Sequence, residues 1–101
     1  MRIISGIHKG IKLLKPINLP VRPTTDKSKE ALFNILENRY YFNNKNVLDL
    51  FSGTGNIAYE FASRGCDNIT AVDHNQNCIN YIQKNVDCFN LNINTTKYDC
   101  I

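Results

Sequence analysis

The sequence predicts an α/β fold, a parallel sheet built from successive strand–helix–strand units and preceded by a short hairpin and a helix. Three observations carry that expectation. From Val47 onward the hydrophobic pattern alternates between short apolar strands and segments with helical spacing. The first of those strands runs into the glycine-rich turn Ser52-Gly53-Thr54-Gly55, and a helix follows at once. Charge also divides at that point: residues 1–45 hold nine Lys/Arg against three acids, and residues 46–101 hold three against six, within a net charge of +3. The expected organisation is therefore a basic hairpin, arm and helix over residues 1–45, followed over 46–101 by the first half of the sheet domain. A basic front half suits contact with a polyanion, although a solvated basic surface has the same composition.

Residues 2–5 and 11–14 are short apolar runs, and Gly6-Ile7-His8-Lys9-Gly10 between them has the turn chemistry of a hairpin. Three prolines between Pro16 and Pro23 forbid regular structure and mark an extended arm. A helix follows, capped by Thr25 or Asp26, with Ala31, Leu32, Ile35 and Leu36 as its apolar face. Residues 37–46 read as its frayed end and a loop. Val47–Phe51 is a buried strand, and Asn56–Arg64 is a helix with Ile57, Phe61 and Ala62 inward and Gly65 as its stop. Ile69–Val72 is the second strand. Residues 75–90 form a helix that buries Cys78, Ile79, Ile82, Val86 and Phe89, and Ile93–Thr96 begins a third strand. Crossovers of this kind are right-handed.

With 101 residues the chain is one domain at most, and its 43% apolar and 21% charged residues are ordinary for a soluble globular protein. No apolar run approaches 18 residues, so no membrane span is expected. The apolar start is too short for a secretion signal, which makes the cytoplasm the expected location. Cys66, Cys78, Cys88 and Cys100 form no Cys-x-x-Cys pair, and His8 and His74 join no ligand cluster. Buried or inert thiols and no metal are expected.

The turn at 52–55 is the most informative stretch. Gly53 and Gly55 allow a sharp bend and a close ligand approach, and the next helix presents free N–H groups to that ligand. Asp73 lies directly after the second strand, where an acid can bond the two ribose hydroxyls of an adenosyl cofactor. Asp49 places a carboxylate in an otherwise apolar strand, which is costly unless something satisfies it. A ligand ammonium would do so, and S-adenosylmethionine carries one, whereas NAD and FAD do not. A tight turn at Gly53–Gly55, and a capping role for Asp49, are the plainer alternatives.

Asp49-Leu50-Phe51-Ser52-Gly53-Thr54-Gly55 resembles the nucleotide-binding loop of class I methyltransferases, and Ala71-Val72-Asp73 resembles their ribose-binding strand end. Met1-Arg2-Ile3-Ile4-Ser5-Gly6 with Lys9-Gly10 and Leu13, then Arg22-Pro23-Thr24-Thr25-Asp26-Lys27 and Lys29-Glu30-Ala31-Leu32-Phe33-Asn34-Ile35-Leu36, resembles the RsmD family. Those enzymes methylate the exocyclic N2 of a guanine in 16S ribosomal RNA. The resemblance implies a Rossmann-like class I S-adenosylmethionine-dependent methyltransferase fold with an incomplete parallel sheet, preceded by a hairpin and helix. It implies S-adenosylmethionine as cofactor, lined by Asp49, Phe51, Gly53 and Gly55, with Asp73 and His74 at the ribose. Asp99 and Cys100 would read the adenine, and Arg22, Thr24 and Thr25 would pack over the cofactor. It also implies contacts from Arg2, Lys9, Lys12 and Lys15 to phosphates of 16S rRNA in the small ribosomal subunit or its assembly intermediate.

The sequence departs from the family in one respect. Methyl transfer there depends on a fourth strand ending in Asp/Asn-Pro-Pro-Phe/Tyr, and these residues contain no Pro-Pro pair. The chain is thus expected to be a truncated form, with no catalytic residue assigned and a bare edge on the first strand for a partner chain to cover. A non-catalytic S-adenosylmethionine- or RNA-binding remnant is the alternative. A NAD-binding Rossmann protein is a further one, since Gly53-x-Gly55-x-x-Ala58 fits the dinucleotide pattern, but it leaves Asp49 without a role.

Overall fold

A computed structural model describes residues 1–16, 19 and 24–98. After the N-terminal hairpin its elements are α1 (Asp26–Arg39), β1 (Asn46–Asp49), α2 (Asn56–Ser63), β2 (Asn68–Asp73), α3 (Gln76–Phe89) and β3 (Asn94–Lys97). The strands form a parallel sheet in the order β1-β2-β3, with Leu48 opposite Thr70 and Val72 opposite Thr96. Parallel neighbours need long crossovers, which α2 and α3 supply.

The hairpin forms as expected. Arg2 pairs with Lys12 in antiparallel fashion, and the Ile3 N–H donates to the Ile11 carbonyl at 3.0 Å. Alternation then buries Ile3 and Leu13 and leaves Arg2 and Lys12 in solvent. Ile3, Leu13, Phe33 and Phe42 join Tyr59, Ile69 and Ile82 in one hydrophobic cluster. The basic front segment and the sheet segment therefore share a core.

That shared core is held by polar anchors as well as apolar contact. Lys29 on α1 and Glu60 on α2 have side chains with 0% exposure, and their Nζ and Oε1 lie 3.2 Å apart. Lys29 also donates to the Arg2 carbonyl at 2.5 Å and to Asn56 Oδ1 at 2.7 Å. The Glu60 carboxylate accepts the Ile4 and Ser5 N–H groups at 3.0 Å each and the Arg64 Nε at 2.7 Å. Burial works against the charge on Glu60, but the Ile4 N–H, Arg64 and Lys29 together hold its carboxyl below the usual range. Burial lowers the Lys29 ammonium, with Glu60 opposing. A second anchor is Ser63: its Oγ donates to the Ser5 carbonyl at 2.5 Å and accepts the His8 N–H at 3.0 Å. Gly6 sits so close that a Cβ there would lie 1.9 Å from the Ser63 carbonyl oxygen. On the other side, Asn85 accepts the Leu14 N–H at 2.9 Å, and the Tyr81 hydroxyl donates to the Leu14 carbonyl.

Three sequence expectations change. The inward face of α1 is Lys29 and Phe33, with Leu36 partly buried, while Ala31, Leu32 and Ile35 lie outward. The charge pairing of Lys29 and the packing of Phe33 on Phe42 and Phe61 turn the helix that way. Residues 37–39 are helical rather than frayed. Finally, β1 stops at Asp49, because Phe51 takes a left-handed φ of 58° and breaks the extended run. Ser52 then resumes the pairing, donating its N–H to the Val72 carbonyl at 2.8 Å and accepting the Val72 N–H on its hydroxyl at 3.0 Å.

Among the described residues no strand lies on the outer side of β1, and Leu48 there is 63% exposed. The bare edge expected from the sequence is present. No helix among the described residues is long and apolar enough to cross a membrane.

Breaking the buried pair should cost far more than breaking a surface one. Lys29→Ala is expected to lower the unfolding free energy by about 3–5 kcal/mol, because Glu60 is left buried. Arg2→Ala, which removes an exposed contact to Asp26, should change it by less than about 1 kcal/mol. Urea denaturation of the two variants side by side checks the contrast. The depressed carboxyl of Glu60 gives the same network a pH signature: its contribution is present above the ordinary carboxylate range and is lost as pH falls through the folded value.

Candidate functional site

The site grows from the break between β1 and α2. Phe51, Gly53 and Gly55 all have positive φ, at 58°, 57° and 82°, so three of five successive residues lie where L side chains are strained. Gly55 is required on two counts, its φ and its surroundings, since a Cβ there would meet the Tyr59 ring at 2.8 Å and Ile82 at 2.9 Å. The loop is pinned from both sides. Ser52 Oγ donates to the Asp49 carbonyl at 2.6 Å, and the Gly55 N–H donates to the Ser52 carbonyl at 2.8 Å. From β2, Asp73 accepts the Gly53 N–H on Oδ2 at 2.9 Å and the Asn75 N–H on Oδ1 at 2.9 Å. The N-cap of α2 is Gly55, and no side chain caps that helix.

A pocket of about 240 Å³ opens on this loop, lined by Thr24, Asp49, Phe51, Ser52, Gly53, Thr54, Asn56 and Ile57. Asp49 is half-buried in its wall. Burial pushes its carboxyl above the usual range, the Ser52 hydrogen bond opposes this, and the nearby charge of Asp73 adds to the rise. The pocket therefore contains a carboxylate whose ionised form the protein disfavours. A cation placed there would relieve that cost.

Of the residues singled out from sequence, Thr24, Asp49, Phe51 and Gly53 come together in this pocket. Gly55 shapes the loop from behind. Asp73 is 5% exposed and holds the loop through the Gly53 N–H, while His74 is exposed beside it, its Nδ1 3.7 Å from Asp73 Oδ1. Thr25 does not line the pocket; its Oγ1 accepts the Ser28 N–H at 3.2 Å and caps α1. Arg22, Asp99 and Cys100, and most of the Pro16–Pro23 arm, lie outside the described residues. Arg2, Lys9, Lys12 and Lys15 are all exposed on the hairpin, with Arg2 engaged to Asp26 at 3.2 Å. A larger cleft of about 420 Å³, lined by Leu14, Lys15, Leu19, Asn77, Asn80, Tyr81 and Lys84, runs between the hairpin and α3 and adds Lys84 to the basic face. It contains no acid. Cys66 and Cys78 are buried, with thiols raised chiefly by burial. Cys88 is exposed: it lies on the solvent side of α3, one position off the apolar stripe that ends at Phe89.

Sequence reading missed Asn56 and Lys29. Asn56 lines the pocket and bonds both Lys29 and the Thr24 carbonyl. Each looked like an ordinary polar residue of a helix, and the signal that joins them is three-dimensional.

The sequence profile of the family described as Conserved hypothetical protein 95 matches residues 1–100. "Putative rRNA methyltransferase YlbH" of Bacillus subtilis (strain 168) is 40% identical over 86 residues, spanning 85% of this chain and 46% of that protein. The solved structure of a Thermus thermophilus hypothetical protein, TTHA0928, matches with a TM-score of 0.85 and 27% identity, over 99% of this chain and 56% of that one. Pyrococcus abyssi tRNA (uracil-54, C5)-methyltransferase, solved in complex with S-adenosyl-L-homocysteine, shares the fold with a TM-score of 0.62 and 20% identity, over 81% of this chain and 20% of that one. The chain spans less than half the length of the curated relatives it matches.

Asp49 should behave as a residue kept at a cost to stability. Its folded carboxyl titrates above the unfolded one, so the folded state holds the proton to higher pH. Stability should then fall as pH rises from about 4 through the raised folded value. Asp49→Asn is expected to raise the thermal midpoint at neutral pH, with the gain vanishing below about pH 4. Melting curves of both proteins across that range check the sign.

Proposed function

This chain belongs to the family described as Conserved hypothetical protein 95, the RsmD family, which includes proteins named ribosomal RNA small subunit methyltransferase D; from that premise we propose that it is the cofactor-binding part of an enzyme that methylates the exocyclic N2 of a guanine in 16S rRNA, with S-adenosylmethionine as donor. Its fold is the Rossmann-like one of class I methyltransferases, shared with a solved putative methyltransferase of Escherichia coli at 31% identity and a TM-score of 0.83. The observation that carries the proposal is the disfavoured Asp49 carboxylate in a pocket shared with Gly53, Thr24 and the uncapped start of α2.

The donor set fits the cofactor. Asp49 would pair with its ammonium, the backbone at Gly53 admits a close approach, and Asp73 keeps an acceptor lone pair on each oxygen for ribose hydroxyls beyond those used for Gly53 and Asn75. When bound, the cofactor supplies an electrophilic methyl group on a sulfonium. The residues of this chain bind and orient it, and positioning is the catalytic contribution asked of them. Arg22, Asp99 and Cys100 would complete the site by resemblance. On the opposite segment, Arg2, Lys9, Lys12 and Lys15 would meet RNA phosphates, which fix register without reading sequence. No residue here is assigned to accepting the guanine, since the Pro-Pro motif that performs that task in the family is absent from these 101 residues. The alternative reading is a non-catalytic S-adenosylmethionine- or RNA-binding module.

Isothermal titration calorimetry with S-adenosylhomocysteine and NAD in parallel tests the site. Binding of the first and none of the second is expected; the reverse would replace the methyltransferase reading with a dinucleotide one. Asp49→Asn should weaken S-adenosylhomocysteine by about tenfold, the loss of one charge-assisted contact. In a tritium-transfer assay on small subunits lacking the modification, the chain alone should give no turnover. Robust transfer would overturn the view that the acceptor half lies elsewhere. The mass of the native gene product separates the two readings: a value well above 11.6 kDa, with the Pro-Pro motif in the remainder, is the result expected for the enzyme.

A further inference from the structure

Asn56 is the first residue of α2, is 2% exposed, and lines the pocket beside Thr24 and Asp49. Its side-chain amide can present either an acceptor or a donor to a neighbour, and Lys29 decides which. A lysine ammonium only donates, so the amide atom 2.7 Å from Lys29 Nζ must be the carbonyl Oδ1. A flipped amide would set an NH₂ group against an NH₃⁺ group in a buried setting of low dielectric. Nδ2 is thereby turned away from Lys29 and toward Thr24, whose carbonyl accepts one of its two hydrogens at 2.7 Å. The ammonium is itself held: Glu60 at 3.2 Å and the Arg2 carbonyl at 2.5 Å keep it behind Asn56, and its side chain is fully buried. A buried charge with no ligand contact thus fixes the hydrogen-bond polarity of one wall of the pocket.

We propose that Lys29 is a positioning residue for ligand recognition: through Asn56 it sets an N–H donor on the pocket wall, and that donor takes the carboxylate of the ligand's amino-acid end while Asp49 takes the ammonium. The proposal rests on the reading of this pocket as an S-adenosylmethionine site. An α-amino acid offers one cation and one anion on neighbouring atoms. The pocket answers with one acid, Asp49, and one locked donor, Asn56, both on its lining. Its volume of about 240 Å³ suits a group of that size rather than a whole nucleoside.

Asn56→Asp is the sharpest variant, because it keeps an oxygen facing Lys29, where a carboxylate pairs with the ammonium, and deletes the N–H. Calorimetry on the 101-residue chain would use two probes: S-adenosylhomocysteine, which carries the amino-acid end, and 5′-methylthioadenosine, which lacks it. The variant also gives up the hydrogen bond to the Thr24 carbonyl, so its melting temperature should fall somewhat, and the readout is the difference between the two probes on a chain that is still folded. Asn56→Asp should lose about tenfold or more in affinity for S-adenosylhomocysteine while its affinity for 5′-methylthioadenosine stays within about twofold. Lys29→Arg, equally donor-only, should keep the wild-type preference between the two probes. Unchanged S-adenosylhomocysteine affinity in Asn56→Asp would overturn the proposal, and equal weakening of both probes would do the same by making Asn56 a structural residue. A wild-type chain that binds neither probe would remove the pocket reading itself, which is a failure distinct from the other two.

Discussion

Two opposite charges, Lys29 and Glu60, face each other at 3.2 Å with no exposure to water, and most of the architecture follows from satisfying them. Desolvating such a pair is expensive, and the cost is met only if the remaining donors and acceptors also find partners. Glu60 finds them in the Ile4 and Ser5 N–H groups and in Arg64, which docks the hairpin onto α2. Lys29 finds them in the Arg2 carbonyl and Asn56, which brings α1 against the hairpin and against the start of α2. The Arg64 guanidinium also lies over the Phe33 ring, with 4.9 Å to its centroid, and joins the charge network to the Phe33–Phe42–Phe61 cluster. The front segment is therefore bound to the sheet segment by geometry that admits few alternatives, and Thr24 is delivered to the mouth of the glycine-rich loop as a consequence.

The loop itself combines two opposing tendencies. Its backbone carries three positive φ values within five residues, and it exposes Phe51 and half-buries Asp49. Local strain of this kind persists only where surrounding contacts over-determine it. Here Ser52 and Asp73 supply those contacts, tying the loop to the end of β2 through three hydrogen bonds. Asp73 has a double character as a result. It is the acid that sequence reading assigns to a ribose, and in the structure it is already the post on which the Gly53 turn hangs. A substitution at Asp73 would disturb the loop before any ligand arrived, whereas one at Asn56 or Asp49 changes the chemistry of the wall with the loop still held.

Much of this was legible in the sequence where a pattern is local. The order and spacing of β1, α2, β2, α3 and β3, the glycine stop at Gly65, and the gathering of Asp49, Phe51 and Gly53 all follow from periodicity and turn chemistry. The inward face of α1 was not legible, because a lysine at its centre breaks the apolar count and only Glu60, 31 residues on in the chain, makes its burial possible. The end of β1 was misjudged for a related reason: Phe51 is a strong strand former, and its left-handed backbone at the turn overrides that preference. Thr25 caps α1, one of the two caps the sequence offered, while its neighbour Thr24 lines the pocket; two adjacent threonines are alike in sequence and differ in placement. The roles of Asn56 and Lys29 depend on which atom faces which, and no spacing rule encodes that.

In the proposed function the adenosyl ligand binds at the glycine-rich turn and not in the basic cleft beside α3. A two-dimensional amide NMR titration of the chain with S-adenosylhomocysteine tests it most directly. The predicted result is a set of shifts concentrated at Thr24, at Asp49 through Ile57, including the Asn56 side-chain NH₂, and at Asp73 through Asn75. Shifts confined to the cleft of Leu14, Lys15, Asn80 and Lys84, or spectra left unchanged at saturating ligand, would contradict it.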